Sequence, residues 1–324
     1  MDAPTELIDQ ALDRRAALLR DPQTTALRLF HGETDGVPGL VIERFRDVLV
    51  AQLHENRLRI AAAAARSLCY AACERLDARA VYRKTFPADR STGSIELSNA
   101  HCDPTPWIGQ RVDEEITVTE AGVRYLVRPY DGFSVGLFLD QRENRARLRA
   151  AGRGARVLNL FAYTCGFAVA AALGGARETV NVDASRKVLE WGKRNFERNG
   201  LSLDKHRFFR SDVSAYFRRA RRQGHRFDLA IVDPPSFGRA RDARRPFVLD
   251  EDLEQLVSGA AELLDDGGLM LISVNHRGIE LQRLISAARS AAGRRGCELL
   301  ETPALPLDFG GDANYSRSVL VRFG

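Results

Sequence analysis

The sequence predicts an α/β chain in which a small α+β module precedes a mostly parallel sheet covered by helices on both faces. Three observations predict it. From Arg156 onward, short wholly apolar runs alternate with amphipathic segments, and a strand apolar on both sides must be buried on both faces. Before that point the apolar runs are punctuated by glycine and proline, as antiparallel pairs require. At 324 residues, the chain has room for more than one core.

Residues 1–20 read as a helix. Strand-like runs follow at 26–30, 40–43 and 48–53, separated by Gly32, Gly36, Pro38 and Gly39. An Ala-rich helix is expected over 58–76 and a strand over 80–83, and the runs 115–119 and 123–127 flank the turn Glu120-Ala121-Gly122. The regular part then reads strand 157–160, helix 168–173, strand 179–182, helix 186–199, strand 207–210, helix 213–222, strand 229–232, helix 252–264, strand 269–274 and helix 279–292. Residues 297–301 and 318–323 suit an antiparallel hairpin at the sheet edge. The domain boundary is drawn between 128 and 129.

Composition narrows the function classes. With 44% hydrophobic and 28% charged residues the chain is an ordinary globular one, which sets aside disordered and collagen-like classes. No stretch approaches the roughly 18 apolar residues a membrane span needs, and the charged first twenty residues do not form a signal peptide, so a cytoplasmic protein without membrane contact is expected. Five cysteines without CxxC spacing (Cys69, Cys73, Cys102, Cys165, Cys297) indicate reduced thiols and no metal site. Nothing in the sequence decides against a homodimer.

In an open parallel sheet, ligands bind beyond the carboxyl ends of the strands, so those positions carry the functional signal. After the first strand comes Asn159-Leu160-Phe161-Ala162-Tyr163-Thr164-Cys165-Gly166-Phe167, where Gly166 allows close backbone approach and a helix start offers free amides. Asp183 follows the second strand, where a carboxylate can accept from both hydroxyls of a ribose or cap the next helix. Asp212 follows the third and suits either an adenine amine or a helix cap. After the fourth comes Asp233-Pro234-Pro235-Ser236-Phe237, a stiffened backbone presenting a carboxylate and a ring.

These motifs, with Gly136-Leu137-Phe138-Leu139-Asp140-Gln141-Arg142 before them, occur in the order found in class I S-adenosylmethionine-dependent methyltransferases. Over 129–323 the chain resembles the group that modifies bases of large-subunit ribosomal RNA, in its guanine-N7 and cytosine-5 branches. The resemblance implies a Rossmann-like domain with a seven-stranded, mostly parallel sheet and S-adenosylmethionine as cofactor. By it, Asp140 and Arg142 would close over the methionine end, Asn159, Tyr163 and Gly166 would shape the pocket, Asp183 would hold the ribose and Asp212 the adenine. Asp233, Pro235, Phe237 and Asn275 would face the target base, with Asp233 also near the cofactor. His31-Gly32-Glu33-Thr34-Asp35-Gly36-Val37-Pro38-Gly39-Leu40-Val41 is similar to the small domain of the cytosine-5 branch, which usually begins with an RNA-binding PUA domain. Here only a helix precedes Arg28, so that domain is expected to be missing.

The two branches differ in chemistry. Carbon 5 of cytosine is a poor nucleophile and must be activated by a cysteine thiolate, whereas a base nitrogen can attack directly. Where the cytosine-5 branch carries a Ser-Cys-Ser run, this chain reads Ser273-Val274-Asn275-His276-Arg277-Gly278, similar to the guanine-N7 branch, as is Leu189-Glu190-Trp191. A nitrogen target is therefore expected, with Asn275 and His276 open to an alternative role in capping the next helix. Between residues 205 and 245 the charge balance is +8 against +5 for the whole chain. Arg239, Arg241, Arg244 and Arg245 are expected to contact RNA phosphates, while Arg218, Arg219, Arg221, Arg222 and Arg226 suit a solvated helix face. Acceptors other than an RNA nitrogen (cytosine carbon 5, a protein or a small molecule) stay open, as does an RNA-assembly factor without turnover.

Overall fold

A computed structural model describes residues 3–87, 101–235, 237–238, 247–312 and 314–324. The chain divides into two compact units, one of residues 1–139 with 306–312, the other of 140–305 with 313–324. The expected boundary at 128/129 thus falls eleven residues early, and a short segment from near the C-terminus joins the first unit.

In the first unit, helix α1 (Ala3–Arg14) precedes strands β1 (Ala26–His31), β2 (Leu40–Phe45) and β3 (Val48–His54). Helix α2 (Ala62–Leu76) leads to β4 (Ala80–Phe86) and the short β5 (Ile108–Gly109), giving a five-stranded sheet in the order β1-β2-β3-β4-β5. Strands β3 and β4 run parallel, joined by the α2 crossover, while the other neighbouring pairs of this sheet are antiparallel. Strands β6 (Ile116–Glu120) and β7 (Val123–Val127) form the expected separate hairpin. The core joins Ile8 and Ala11 of α1, Leu27 and Phe30 of β1, and Ala65, Leu68 and Cys69 of α2.

Strand β1 is buried along its whole length, charged residues included, so those charges need partners inside. The Asp35 carboxylate accepts from Arg15 Nη1 and Nη2, both at 2.7 Å, from Arg14 Nη2 at 2.6 Å and from the His31 amide at 2.5 Å. Burial works against its charge, but these donors outweigh that and hold its pKa below the usual carboxylate range. Arg28 pairs with Glu43 at 2.7 Å. Asp308, wholly buried in the returning segment, accepts the Arg28 amide at 2.7 Å, and its carbonyl accepts Arg15 Nη2 at 3.2 Å.

In the second unit, helix α3 (Arg142–Ala151) is followed by β8 (Arg156–Leu160), α4 (Gly166–Leu173), β9 (Glu178–Asp183), α5 (Arg186–Arg198) and β10 (His206–Arg210). Then come α6 (Val213–Arg222), β11 (Phe227–Val232), the two-residue strands β12 (Phe237–Gly238) and β13 (Phe247–Val248), α7 (Leu249–Ala261), β14 (Leu264–Val274), α8 (Leu281–Ala292), β15 (Cys297–Glu301) and β16 (Arg317–Phe323). The seven-stranded sheet runs β10-β9-β8-β11-β14-β16-β15, with the first five strands parallel. Strand β16 inserts antiparallel between β14 and β15, so the expected hairpin is present with its second strand inside the sheet and its first at the edge. The order reverses between β8 and β11, which opens a crevice at their carboxyl ends.

Alternation sorts the side chains. Leu158, Ala230, Val232, Met270 and Ile272 pack under residues of α6, α7 and α8, while Val157, Leu229, Ile231 and Leu271 pack under Leu148 of α3 and Phe167 and Ala171 of α4. No helix among the described residues is long and apolar enough to cross a membrane. Replacing Asp35 by Ala should lower the stability of the protein by about 3–5 kcal/mol, because it leaves Arg15 buried without its carboxylate. Denaturant unfolding checks this, and a loss below 1 kcal/mol would show that Arg15 finds other partners.

Candidate active site at the carboxyl edge of the parallel sheet

The register brings the strand ends level: Leu160 lies beside Val182 and Val232, and Arg210 beside Asp183. The segments that follow these strands, including Phe161 to Cys165, Asp212, Asp233 and Asn275, therefore emerge along one edge, where Asp183 closes β9.

The turn after β8 is the most unusual backbone in this unit. Phe161, Tyr163 and Cys165 all have left-handed φ, at 53°, 48° and 61°, although none is glycine. Gly166, expected to supply the conformational freedom, is instead the first residue of helix α4. Such strain persists only where packing imposes it. Helix α5 imposes it here: a Cβ on Gly192 would overlap the Cys165 sulfur, Asn195 Nδ2 donates to the Thr164 carbonyl at 2.9 Å, and Trp191 sets its ring 6.4 Å from that of Tyr163. Trp191, Gly192 and Asn195 thus brace the turn from behind.

Asp183 ends β9 with each oxygen accepting one amide, Oδ2 from Tyr163 at 2.9 Å and Oδ1 from Ser185 at 2.8 Å. Burial raises its pKa, against the pull of those two amides. A carboxylate has about four acceptor positions, so two stay open for a pair of vicinal hydroxyls. Both readings of Asp183 meet here, since it binds the start of α5 through Ser185 and retains acceptor capacity. Asp212 is the cap of α6, its Oδ1 accepting from Ser214 at 2.9 Å and Ala215 at 3.2 Å. It is exposed, and its other oxygen makes no hydrogen bond in the structure. Such acceptors could take the hydroxyls and exocyclic amine of an adenosine.

Asn159 does not serve the cleft in the way expected. It sits inside β8, 1% exposed, and its Nδ2 donates to Asn181 Oδ1 at 3.1 Å. Asn181 passes the chain on to Thr179 Oγ1, which meets His206 Nδ1 at 3.0 Å. A central strand position leaves the side chain no route out of the sheet, so the amide cross-links strands.

The second group of polar residues lies on the face under α3, where alternation puts Ile231, Asp233, Leu271 and Ser273. Asp140, Gln141, Arg142, Asn144 and Arg145 are all buried. Gln141 Nε2 donates to Asp140 Oδ2 at 3.2 Å and to Ser273 Oγ at 2.9 Å. Asp233 has its pKa raised to about 7, first by burial and then by the nearby Asp140 charge, against the pull of Ser273 and Arg145. Asn144 and Arg145 are polar neighbours of the site outside every motif, while Gln141 and Ser273 stood in quoted runs without an assigned role. Their signal was present: positions 141, 144, 145 and 148 form one helical face that ends in the core residue Leu148.

Pro234 is buried and Pro235 exposed. Phe237 belongs to β12, paired with Val248 of β13. Asn275 is exposed one residue beyond β14. The helix cap expected of Asn275 and His276 is not made, because α8 begins only at Leu281 after Glu280. His276 Nδ1 instead accepts the Gly278 amide at 3.2 Å. Arg239, Arg241, Arg244 and Arg245 lie outside the described residues. The arginines around α6 behave as a solvated face: Arg221 pairs with Glu262, Arg226 reaches the Glu262 carbonyl, and Arg219 covers the Phe209 ring.

A raised carboxyl pKa means that the fold favours the protonated form, so its stabilising contribution is present at low pH and lost as pH rises through about 7. The loss runs from the unfolded carboxyl pKa of about 4 up to about 7, so D233N should already melt above the wild type at about pH 5.5, and by a larger margin near about pH 8.5. Scanning calorimetry at the two pH values checks this, and a variant melting below the wild type at pH 8.5 would contradict it.

The comparisons agree with this geometry. A family model described as S-adenosylmethionine-dependent methyltransferase matches residues 96–320. Ribosomal RNA large subunit methyltransferase I of Erwinia tasmaniensis is 36% identical over 260 residues, covering 78% of this chain and 61% of its own length. Its namesake from Klebsiella pneumoniae is 34% identical over 296 residues, covering 89% of this chain and 70% of its own. The chain thus spans roughly two-thirds of the length of these relatives. Among solved structures, SMU.776, described as a methyltransferase complexed with SAH, superposes with a TM-score of 0.87 at 28% identity, covering 98% of this chain and 80% of that one. With the family model over residues 96–320 and relatives about a third identical along most of its length, the chain belongs to the S-adenosylmethionine-dependent methyltransferase family and takes S-adenosylmethionine as its methyl donor.

Proposed function

We propose that the enzyme methylates a base nitrogen of ribosomal RNA by direct in-line displacement. The RNA acceptor is supported by the relatives named as ribosomal RNA methyltransferases. The nitrogen is supported by the absence of a usable thiol among the described residues of the carboxyl edge. Asn275 stands beyond β14 where the cytosine-5 branch carries its nucleophile. Cys165 is wholly buried beneath Gly192, and burial holds its thiol pKa well above the ordinary value. Cys297 opens β15 opposite Phe323, at the other end of the sheet.

When bound, the cofactor supplies an electrophilic methyl group. Asp183 holds the ribose hydroxyls, Asp212 takes the adenine amine with the oxygen its cap leaves over, and Tyr163 and Gly166 shape the pocket. Asp140 and Arg142 receive the methionine end. Asp233 accepts a hydrogen bond or proton from the base edge, Asn275 orients that edge, Phe237 stacks on the base and Pro234-Pro235 hold the loop stiff. Fixing donor and acceptor in line contributes several kcal/mol to lowering the barrier. The proposed phosphate contacts are Arg239, Arg241, Arg244 and Arg245, which would make binding weaken as salt rises.

Labelled S-adenosylmethionine and unmodified ribosomal RNA, followed by nucleoside mass spectrometry, should yield a base carrying the methyl on nitrogen. Labelled 5-methylcytosine would overturn the nitrogen reading, and cofactor binding without transfer to RNA would favour an assembly factor. Asp183→Ala should weaken cofactor binding roughly 10- to 100-fold in calorimetry, as expected for loss of charge-assisted hydrogen bonds. Unchanged affinity would remove Asp183 from the slot.

A further inference from the structure

Surface arginines across this chain are commonly held by an acid. Arg57 pairs with Glu33, Arg75 with Asp9, Arg147 with Glu301, Arg283 with Glu254 and Arg322 with Glu298. The outer edge of the seven-stranded sheet departs from that habit. Residues 186–226 run from the start of α5 through β10 and past the end of α6, and they hold thirteen Lys or Arg against four Asp or Glu, a balance of +9 in a chain of +5.

Three of those four acids are taken. Glu190 pairs with Lys193 at 2.9 Å, Asp204 accepts the Ser202 hydroxyl at 2.8 Å, and Asp212 caps α6. Of the cations, Arg221 and Arg226 are engaged by Glu262 and Arg219 lies over Phe209. Arg198, Lys205, Arg207, Arg210, Arg218 and Arg222 are exposed, and among the described residues none of their side chains makes an ion pair or hydrogen bond.

Strand β10 ends its sheet, with β9 as its one neighbour. Alternation turns His206 and Phe208 to Phe196 of α5, and Phe209 to Tyr216 of α6. Arg207 shares the α6 side with Phe209, and Arg210 the α5 side with Phe208. Lys193 Nζ lies 5.5 Å from the centre of the Phe208 ring and the Arg219 guanidinium 5.0 Å from that of Phe209, so each side of the edge carries a half-buried ring under a cation. Arg210 stands beside Asp183 in the register, which brings the strip up to the candidate cofactor cleft.

Charge on an edge strand also keeps it from pairing with another chain, and a second copy added here would set Arg207 and Arg210 against like charges. Either sign serves that purpose, and one or two residues suffice. It does not call for six unpaired cations of one sign spread over the strand and both flanking helices, whose mutual repulsion a polyanion relieves.

We propose that the β10 edge, with α5 and α6 beside it, is a docking strip for the phosphate backbone of the RNA substrate. The proposal rests on the reading of RNA as acceptor and adds where the strand lies away from the target base. It is separate in sequence from Arg239, Arg241, Arg244 and Arg245. Contacts of this kind fix position and carry no base preference, so their signature is salt dependence.

The test uses the full chain and unmodified large-subunit ribosomal RNA, with filter binding across a salt series. It compares wild type, R207Q, R207Q/R222Q and, as a single-charge control on the far side of the sheet, R322Q. R207Q/R222Q should bind RNA roughly 3- to 10-fold more weakly at low salt, with the slope of log affinity against log salt shallower by about 1 to 2. KM for RNA should rise by a similar factor, while kcat and calorimetric affinity for S-adenosylmethionine stay within about 2-fold. R207Q should show roughly half the change in slope and R322Q none. An unchanged slope in R207Q/R222Q, with wild type binding and methylating RNA, overturns the docking strip and leaves the acceptor reading standing; so does a loss in R322Q equal to that in R207Q. Wild type that binds no RNA at low salt overturns both. If R207Q/R222Q melts early in calorimetry, K205Q/R218Q decides by the same slope.

Discussion

A sheet covered by helices on both faces has no solvent beside its strands, so each polar side chain within it must find a partner inside or reach the end of a strand. The chemistry of this enzyme follows from that constraint. Five parallel strands stop level with one another, and their carboxylates collect at that edge. Polar residues short of the edge turn to each other, as Asn159, Asn181, Thr179 and His206 do across β8, β9 and β10.

The parallel half was legible because burial on both faces writes itself into sequence as wholly apolar strands, and the acids were legible because they follow those strands. Asp212 shows the limit of position alone: a cap and a ligand call for the same residue type, and the structure shows the cap. Asn159 shows another, since an amide at a strand end and one inside a strand look identical until the register is known. Ser273 and Ser318 were silent for a similar reason. They meet only because β16 inserts between β14 and β15, a pairing that bridges 45 residues of sequence. The return of residues 306–312 to the first unit was equally invisible, for Asp308 is one acid among many until it is found buried against the Arg28 amide.

Strain is confined to one place in the second unit's chemistry. Three consecutive odd residues, Phe161, Tyr163 and Cys165, hold left-handed conformations at a cost of about 1 kcal/mol or more each. Helix α5 sustains them by pressing Gly192 against Cys165 and by bonding Thr164 through Asn195. The same packing makes Cys165 inert, so one contact both shapes the cofactor turn and withdraws a thiol from chemistry.

The segment Pro306–Asp312 has a consequence for how the chain acquires its shape. The first unit's strands are made early, but the acid that satisfies Arg28 and Arg15 leaves the ribosome only after about 170 further residues have been added. Until then the buried Arg28 amide lacks its acceptor, and the loop that must close is among the longest the chain contains. Neither unit is complete before that return, since β16 (Arg317–Phe323), which inserts between β14 and β15, is made after Asp308 as well.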